Sequence, residues 1–283
     1  MTDKGYAHSE LLWAPQELRA RLGEAKLRVV DVRTGEEYAS GHIPGAIHFD
    51  LYGISLNDTS PAPLEAFIWM WGYLLEVRGI GLEHTVVFYE ETSAFKAARG
   101  FWFLEYLGHT DVHVLDGGLR AWRAAGLPLT QEATPPKRKA FAPNRRPELL
   151  ATYREVLDAM GKPDKVILDT RTDDEWNGKW IRAARPGAVP GAVHLEWTNN
   201  LDAAGAFKPA AELRTLYGAR GITPDKEVIP YCQGGYRSAH AYLALRLLGY
   251  PRLRNYLGSW KEWGDKTDLP IVEPWRKAGG DGG

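Results

Sequence analysis

The stretch VVDVRTGEEYASGHIPGAIHFD, residues 29–50, decides the fold because the chain contains it twice. Its partner is VILDTRTDDEWNGKW at 166–180, continued by RPGAVPGAVHLEW at 185–197. Each reads as a buried apolar strand, an acidic-basic turn, a short helix, then a Pro-Gly turn into another strand. A second pair follows the first. HTVVFYEETSAFKAARGFWFLEYLGHTDVHVLDGGLRAW at 84–122 matches EVIPYCQGGYRSAHAYLALRLLGYPRLRNYLGSWKEW at 227–263. Each is a strand, a loop, an amphipathic helix, a short strand and a Gly turn before a Trp-containing segment. One duplicated α/β unit accounts for both pairs. Strands alternating with helices predict two domains, each a mostly parallel sheet with helices on both faces.

The expected boundaries are 1–130 for the first domain, 131–147 for a linker and 148–283 for the second domain. The linker region is rich in Pro, Lys and Arg and has neither helical nor strand periodicity. Its KRK run at 137–139 reads as a solvated face, as do Arg145 and Arg146. The tail RKAGGDGG from Arg276 is expected to be disordered.

Composition fits this organisation. The 283 residues are 44% hydrophobic and 25% charged, which excludes a disordered or collagen-like chain. With 35 basic and 36 acidic residues the net charge is −1, so no global field steers nucleic acid or an anionic membrane. No apolar run is long enough to span a membrane. The polar start MTDKGYAHSE lacks a signal-peptide core, and a cytoplasmic location is expected. The eleven Trp are spread along the chain and read as packing residues.

Cys232 is the single cysteine, which excludes an internal disulfide and a cysteine-based zinc site. It ends an apolar strand and opens the loop Cys232-Gln233-Gly234-Gly235-Tyr236-Arg237-Ser238 at the entrance of a helix. In parallel sheets, ligands bind at such strand ends. A helix N-terminus offers free N–H groups and a partial positive charge. Gly234 and Gly235 let amides converge without Cβ clashes. Arg237 adds a permanent cation. Together they should lower the thiol below its free value of about 8.5. The first copy has Glu90 at the equivalent position, in a loop one residue longer. No spacing ties His240, His194 or His48 to Cys232 as a base. The site therefore reads as a cationic cradle for a thiolate, with no Cys-His dyad and no metal.

These motifs resemble the tandem-domain rhodanese family of thiosulfate and 3-mercaptopyruvate sulfurtransferases. DVRTGEEYASGHIPGAIHFD, VLDGGLRAW, DTRTDDEWNGK, YCQGGYRSAH and LGSWKEWG carry the resemblance, over roughly residues 10 to 275. It implies a catalytically silent first domain and an active second one. It also implies transfer of a sulfane sulfur through a persulfide on Cys232, with no cofactor. The donor would be a small molecule and the acceptor cyanide or a thiol. The cradle of Gln233, Gly234, Gly235, Tyr236, Arg237 and Ser238 would bind substrate. A second substrate-binding arginine precedes the Pro-Gly turn in the family, making Arg185 the first choice and Arg182 the second. Arg237 in the loop, and the unmatched HFDLYGISLNDTS after the first Pro-Gly turn, favour thiosulfate over 3-mercaptopyruvate as donor.

Asp169 with Arg171, and Asp31 with Arg33, are expected to pair and build the pocket floor. Ala188 stands where the first copy has His42, which removes a turn hydrogen bond. Trp260, Trp197 and Trp69 are candidates for the cleft wall. Two other readings stay open. One is a persulfide-storing carrier. The other is a phosphatase-like cysteine enzyme, although the Cys-x4-Arg spacing makes a tight ring for a phosphate ester. Tandem domains already supply an internal interface, so a monomer is expected.

Overall fold

The structure, a computed structural model, describes residues 3–276. Beyond Arg276 the glycine-rich tail lies outside the described residues. The first domain runs β1 (Leu12–Trp13), α1 (Pro15–Arg21), β2 (Leu27–Asp31), α2 (Gly35–Ser40), β3 (Ile47–His48), α3 (Pro61–Val77), β4 (Thr85–Tyr89), α4 (Phe95–Tyr106), β5 (Val112–Leu115) and α5 (Gly118–Ala124). The second runs β6 (Leu150–Ala151), α6 (Tyr153–Ala159), β7 (Lys165–Asp169), α7 (Asp173–Trp176), β8 (Val193–His194), α8 (Ala210–Gly218), β9 (Glu227–Tyr231), α9 (Tyr236–Leu247), β10 (Asn255–Tyr256) and α10 (Ser259–Asp265).

The first sheet has the order β1-β5-β4-β2-β3, and every pairing in it is parallel. The second repeats that order as β6-β10 and β9-β7-β8, joined by a parallel bridge between Val228 and Leu253. Val29 pairs with Val87 in the first sheet, and Ile167 with Ile229 in the second. The strands are apolar on both faces because both faces are covered. Val29 and Val87 pack with Trp13, Leu18 and Trp122 on one side, while Val30 and Val86 pack with α3 and α4 on the other.

Local chemistry starts the helices. Thr34 with Glu37, Thr152 with Glu155 and Thr172 with Glu175 each form a capping box at the entrance of α2, α6 and α7. Pro15 and Pro61 stand in the first turns of α1 and α3, where a missing N–H costs nothing.

One apolar core continues from the first domain into the second through α4 and α9. Glu105 on α4 accepts hydrogen bonds from Tyr242 (2.7 Å) and Arg246 (2.7 Å) on the second domain. Buried Glu262 on α10 accepts the N–H and hydroxyl of Thr59 from the first domain. The domains are thus locked face to face, with the loop after β9 against the first domain.

The linker is not free. Lys139 donates its N–H to Glu76 O, Asn144 to Leu107 O and Arg146 to Tyr106 O, and Phe141 is buried. Arg138, Lys139 and Arg145 pair with Glu76, Glu83 and Glu65. The segment lacks periodicity because its partners are helix ends of the first domain rather than itself. The turn with Ala188 in place of His42 is equally well held. Ala188 and Val272 exchange backbone hydrogen bonds, as His42 and Thr130 do in the first copy. The change therefore does not loosen this turn. What is lost is the His42 ring, which bonds Tyr38 O and Glu132 O.

Candidate active site

Cys232 directly follows β9 and is 1% exposed. Its carbonyl accepts Trp260 N–H (2.9 Å), and its own N–H is taken by Ser259 Oγ (3.1 Å). Ser259 is the single non-glycine among the described residues with positive φ, +53°. That is a costly conformation for a residue with a Cβ. Here it turns the hydroxyl towards the backbone of Cys232. The first copy places Gly118, φ +58°, at the equivalent turn, and Leu119 N–H bonds Glu90 O there. Ser259 was missed in the sequence; the signal was a serine where the repeat has glycine.

Gly235 caps α9 with φ +83°, the left-handed region that glycine adopts without strain. A side chain there would collide with Arg99 Nη1 at 2.8 Å and Leu257 O at 2.8 Å. This turn aims the N–H groups of Gly234 and Ser238 at the sulfur. Burial alone would push the Cys232 thiol up. The Arg237 charge, those two N–H groups and the Ser238 hydroxyl, 3.8 Å away, overcome it and hold the thiol below its ordinary value.

Arg237 does not face the site as a free cation. It makes a two-pronged ion pair with buried Glu175, with Nη2 to Oε1 at 3.0 Å. Burial would raise the Glu175 carboxyl, and the Arg237 hydrogen bonds and charge bring it below the usual range. Glu175 thus serves twice, as the capping residue of α7 and as the anchor of Arg237. The equivalent Glu37 is exposed and only caps α2.

A cavity of about 360 Å³ opens over the sulfur. Its floor is Cys232, Gln233, Gly234, Tyr236 and Arg237, with Arg182 and Trp197 from the same domain. The first domain supplies Tyr52, Gly53, Ser55 and Phe95. Tyr236 is fixed there by donating to Leu51 O (2.8 Å) and Ile54 O (3.0 Å). Gln233 donates to Arg182 O at 2.7 Å. Gly235 and Ser238 lie behind this surface and shape it.

Several expected positions are corrected. Arg185 is not brought to the cavity. Its guanidinium is spent on the carbonyls of Trp263 (3.0 Å), Gly264 (3.1 Å), Leu269 (3.0 Å) and Lys266. Arg182 is the arginine that lines the cavity, 3.8 Å from Glu175 and over the Trp180 ring. The segment that carries both has no regular structure, so no periodicity fixed their directions. Trp69 is 72% exposed on α3 and stacks on Tyr73, away from Cys232. Trp260 is buried beneath Arg171.

Asp169 and Arg171 do pair, at 2.6 Å, and Arg171 also donates to Gly187 O at 2.8 Å. Asp31 and Arg33 repeat this at 2.6 Å, with Gly41 O at 2.8 Å. Both pairs lock the Pro-Gly turn to the sheet and neither lines the cavity. None of the histidines reaches the sulfur. His240 bonds Ser93 O at 2.9 Å, and burial pushes it down to about 4. His194 bonds Asp173 (2.8 Å) and His48 bonds Arg33 O (3.0 Å). Among the described residues, no group of three or more His, Cys, Asp or Glu is placed to hold a metal ion. Among them, too, no helix is long and apolar enough to cross a membrane.

The first copy fills the same cradle with its own carboxylate. Glu90 Oε1 accepts the N–H groups of Lys96 (2.7 Å) and Ala97 (2.9 Å) at the start of α4. Burial nevertheless pushes Glu90 up from 4.5 to about 7. A carboxyl raised in the folded state favours folding fully below its unfolded value. That contribution is lost as pH climbs from about 4.5 through about 7. Glu90→Gln should therefore match the native stability near pH 4 and exceed it at pH 8. The full gain, for a rise from 4.5 to about 7, is ~3 kcal/mol. Denaturant unfolding at both pH values checks this, and an equal difference at both would contradict it.

Comparison with known proteins agrees with this geometry. The family model described as Rhodanese-like domain matches residues 14–125 and again 152–266. The chain is 36% identical over 269 residues to a thiosulfate sulfurtransferase of Pseudomonas aeruginosa, covering 92% of this chain and 96% of that one. It is 36% identical over 289 residues to the sulfur carrier protein TtuD of Thermus thermophilus, covering 95% and 99%. Among solved structures, it resembles the anaerobic ergothioneine biosynthesis enzyme of Chlorobium limicola with a TM-score of 0.83 at 24% identity. That likeness covers 94% of this chain and 71% of the enzyme, and it bears on the fold alone. With the domain matched twice along its length, and relatives of this similarity spanning nearly all of it, the chain belongs to the rhodanese family as a tandem of two rhodanese-like domains.

Proposed function

We propose that the chain is a sulfurtransferase that takes the sulfane sulfur of thiosulfate onto Cys232 and passes it to cyanide or a thiol. The observation that carries this is a wholly buried thiol held below its ordinary value by amides and a cation, at the floor of a cavity. Relatives named thiosulfate sulfurtransferase support the donor.

In the first half-reaction the Cys232 thiolate attacks the outer sulfur of thiosulfate. A sulfur–sulfur bond forms to Cys232, the bond to the sulfonate breaks, and sulfite leaves with the electron pair. In the second, the acceptor attacks the outer persulfide sulfur and the Cys232 thiolate departs. The Gly234 and Ser238 N–H groups face anionic sulfur throughout. They need no reorganisation as the charge moves by one bond. Arg182, the more exposed arginine at the cavity, would take the sulfonate.

Steady-state comparison of thiosulfate and 3-mercaptopyruvate as donors to cyanide, following thiocyanate, tests the donor. A thiosulfate preference is expected, and a mercaptopyruvate preference would reject it. Arg182→Ala should lower kcat/KM for thiosulfate by ~10-fold or more beyond its effect on an uncharged thiosulfonate. Equal losses would make Arg182 a structural residue.

A carrier reading has one specific observation in its favour. Tyr52, Trp180 and Ile181 are 64%, 53% and 54% exposed, with Tyr52 in the cavity wall and Trp180 beneath Arg182. Such exposed apolar side chains suit a protein acceptor. Failure of both small donors, with persulfide delivered by a partner, would favour it.

A further inference from the structure

Arg99 reaches the cysteine loop from the first domain and has no part in the proposed chemistry. It is the fifth residue of α4, in the silent domain, and is wholly buried. Its Nη1 donates to Gly234 O (2.9 Å) inside the cysteine loop and its Nη2 to Ile54 O (2.7 Å). Its Nε has no hydrogen-bond partner. The guanidinium lies 3.8 Å over the Tyr236 ring and 5.1 Å from that of Phe103. Among the described residues no carboxylate pairs with it.

A buried cation without a counter-ion is costly, and such groups are paired or used. The neighbouring position that could have held a carboxylate does not. The first copy has Asp116 before its Gly turn, and the second has Leu257. A Cβ at Gly235 would meet both Arg99 Nη1 (2.8 Å) and Leu257 Cδ1 (3.2 Å), so Leu257 sits beside the guanidinium. Arg237 is different, because Glu175 balances its charge.

The other copy offers a structural counterpart. The fifth residue of α9, the counterpart of Arg99, is His240, and it reaches across to Ser93 O in the silent loop. The two helices thus exchange one side chain each, onto the loop of the opposite domain. His240 is neutral, and the buried Glu90 in that loop is pushed up to about 7. Arg99 is charged, and the buried Cys232 in its loop is pushed down, first by Arg237 and then by the loop N–H groups, with Arg99 facing the same loop.

We propose that Arg99 is a positioning residue supplied by the silent domain, whose unbalanced charge keeps the Cys232 sulfur anionic. Its second role is to hold Gly234 O away from the sulfur, so that the Gly234 N–H faces it. The charged and titratable groups around Cys232 include Arg237 and Tyr236 on α9, Glu175 paired with Arg237, Asp169 close enough to act on Arg237, Arg182 at the cavity, and Arg99 from α4. Arg99 remains charged at neutral pH, since burial brings it down only to about 10. This inference rests on the reading of Cys232 as the reactive sulfur.

The test is the pH dependence of iodoacetamide alkylation, which reports on Cys232 alone because the chain has one cysteine. Arg99→Gln can still donate to Gly234 O but carries no charge. Its thiol pKa should rise by ~1. Arg99→Lys keeps the charge and loses the fork, and its thiol pKa should stay close to native. A folded Arg99→Gln with a native thiol pKa would overturn the proposal. So would a folded Arg99→Lys in which the pKa rises, because that assigns the effect to the fork. Alkylation needs no sulfur donor, so these outcomes are independent of whether thiosulfate is the substrate.

Discussion

Cys232→Ser is expected to abolish thiocyanate formation from thiosulfate and cyanide, by ~10³-fold or more. The substitution replaces one buried sulfur with a smaller oxygen in a loop fixed by other atoms. Trp260 N–H to Cys232 O, Cys232 N–H to Ser259 Oγ and Arg99 to Gly234 O are all backbone contacts that serine retains. Thermal unfolding should therefore stay near native while activity vanishes. A hydroxyl in this cradle remains protonated and cannot form a persulfide. Appreciable transfer by a folded Cys232→Ser protein would remove Cys232 from the mechanism.

The second large effect concerns stability. Asp169→Asn should destabilise the protein by ~3–5 kcal/mol, because it leaves Arg171 buried without a counter-ion. Asp169 is 0% exposed and accepts hydrogen bonds from three Arg171 donors, its backbone N–H, Nε and Nη2, besides one from Tyr231 at 2.5 Å. Asn can accept only part of this set and offers an N–H₂ where acceptors are needed. The expected drop in Tm is roughly 10 °C. Asp31→Asn should cost the same in the first domain, where Arg33 and Tyr89 repeat the arrangement. Calorimetry of both variants checks this. A change in Tm of only a degree or two would show that the pairs are solvent-compensated. The comparison is informative because one pair lies behind the cysteine loop and the other behind the silent loop. Equal losses would mark them as fold elements rather than parts of the site.

What the sequence made legible was local. Two matched strand–turn–helix stretches predicted parallel sheets, and both sheets have one strand order. The Cys232 loop was legible because glycine, a strand end and a helix start were adjacent in the chain. The remainder depended on distant partners. The ion pair of Arg237 with Glu175 joins α9 to the cap of α7. Only a Thr-x-x-Glu capping signal marked Glu175, and that signal says nothing about Arg237. Arg182 and Arg185 could not be ordered, since their segment follows no helical or strand period. The linker lacked any pattern because helix ends of the first domain fix it. Arg99 carried a faint signal, a lone arginine inside the apolar helix FKAARGFWFLEY, at the position of His240 in the repeat. The reach of both residues onto opposite loops became visible only with α4 and α9 packed together.

The proposed split between a silent and an active copy has a physical form. Both loops turn helix N–H groups towards one buried side chain. In one, Glu90 occupies the cradle from within, so nothing can be loaded there. In the other, the side chain is the Cys232 sulfur at the floor of a cavity. The first domain contributes walls, Arg99 and the loop holding Tyr236, and so completes the proposed site on the second.

The most direct test is intact-mass measurement of the protein after thiosulfate treatment and desalting, followed by cyanide. The account predicts a gain of one sulfur atom, absent in Cys232→Ser and removed by cyanide with release of thiocyanate. A native protein that gains no sulfur while Cys232 remains open to alkylation would contradict it, as would a gain that persists in Cys232→Ser.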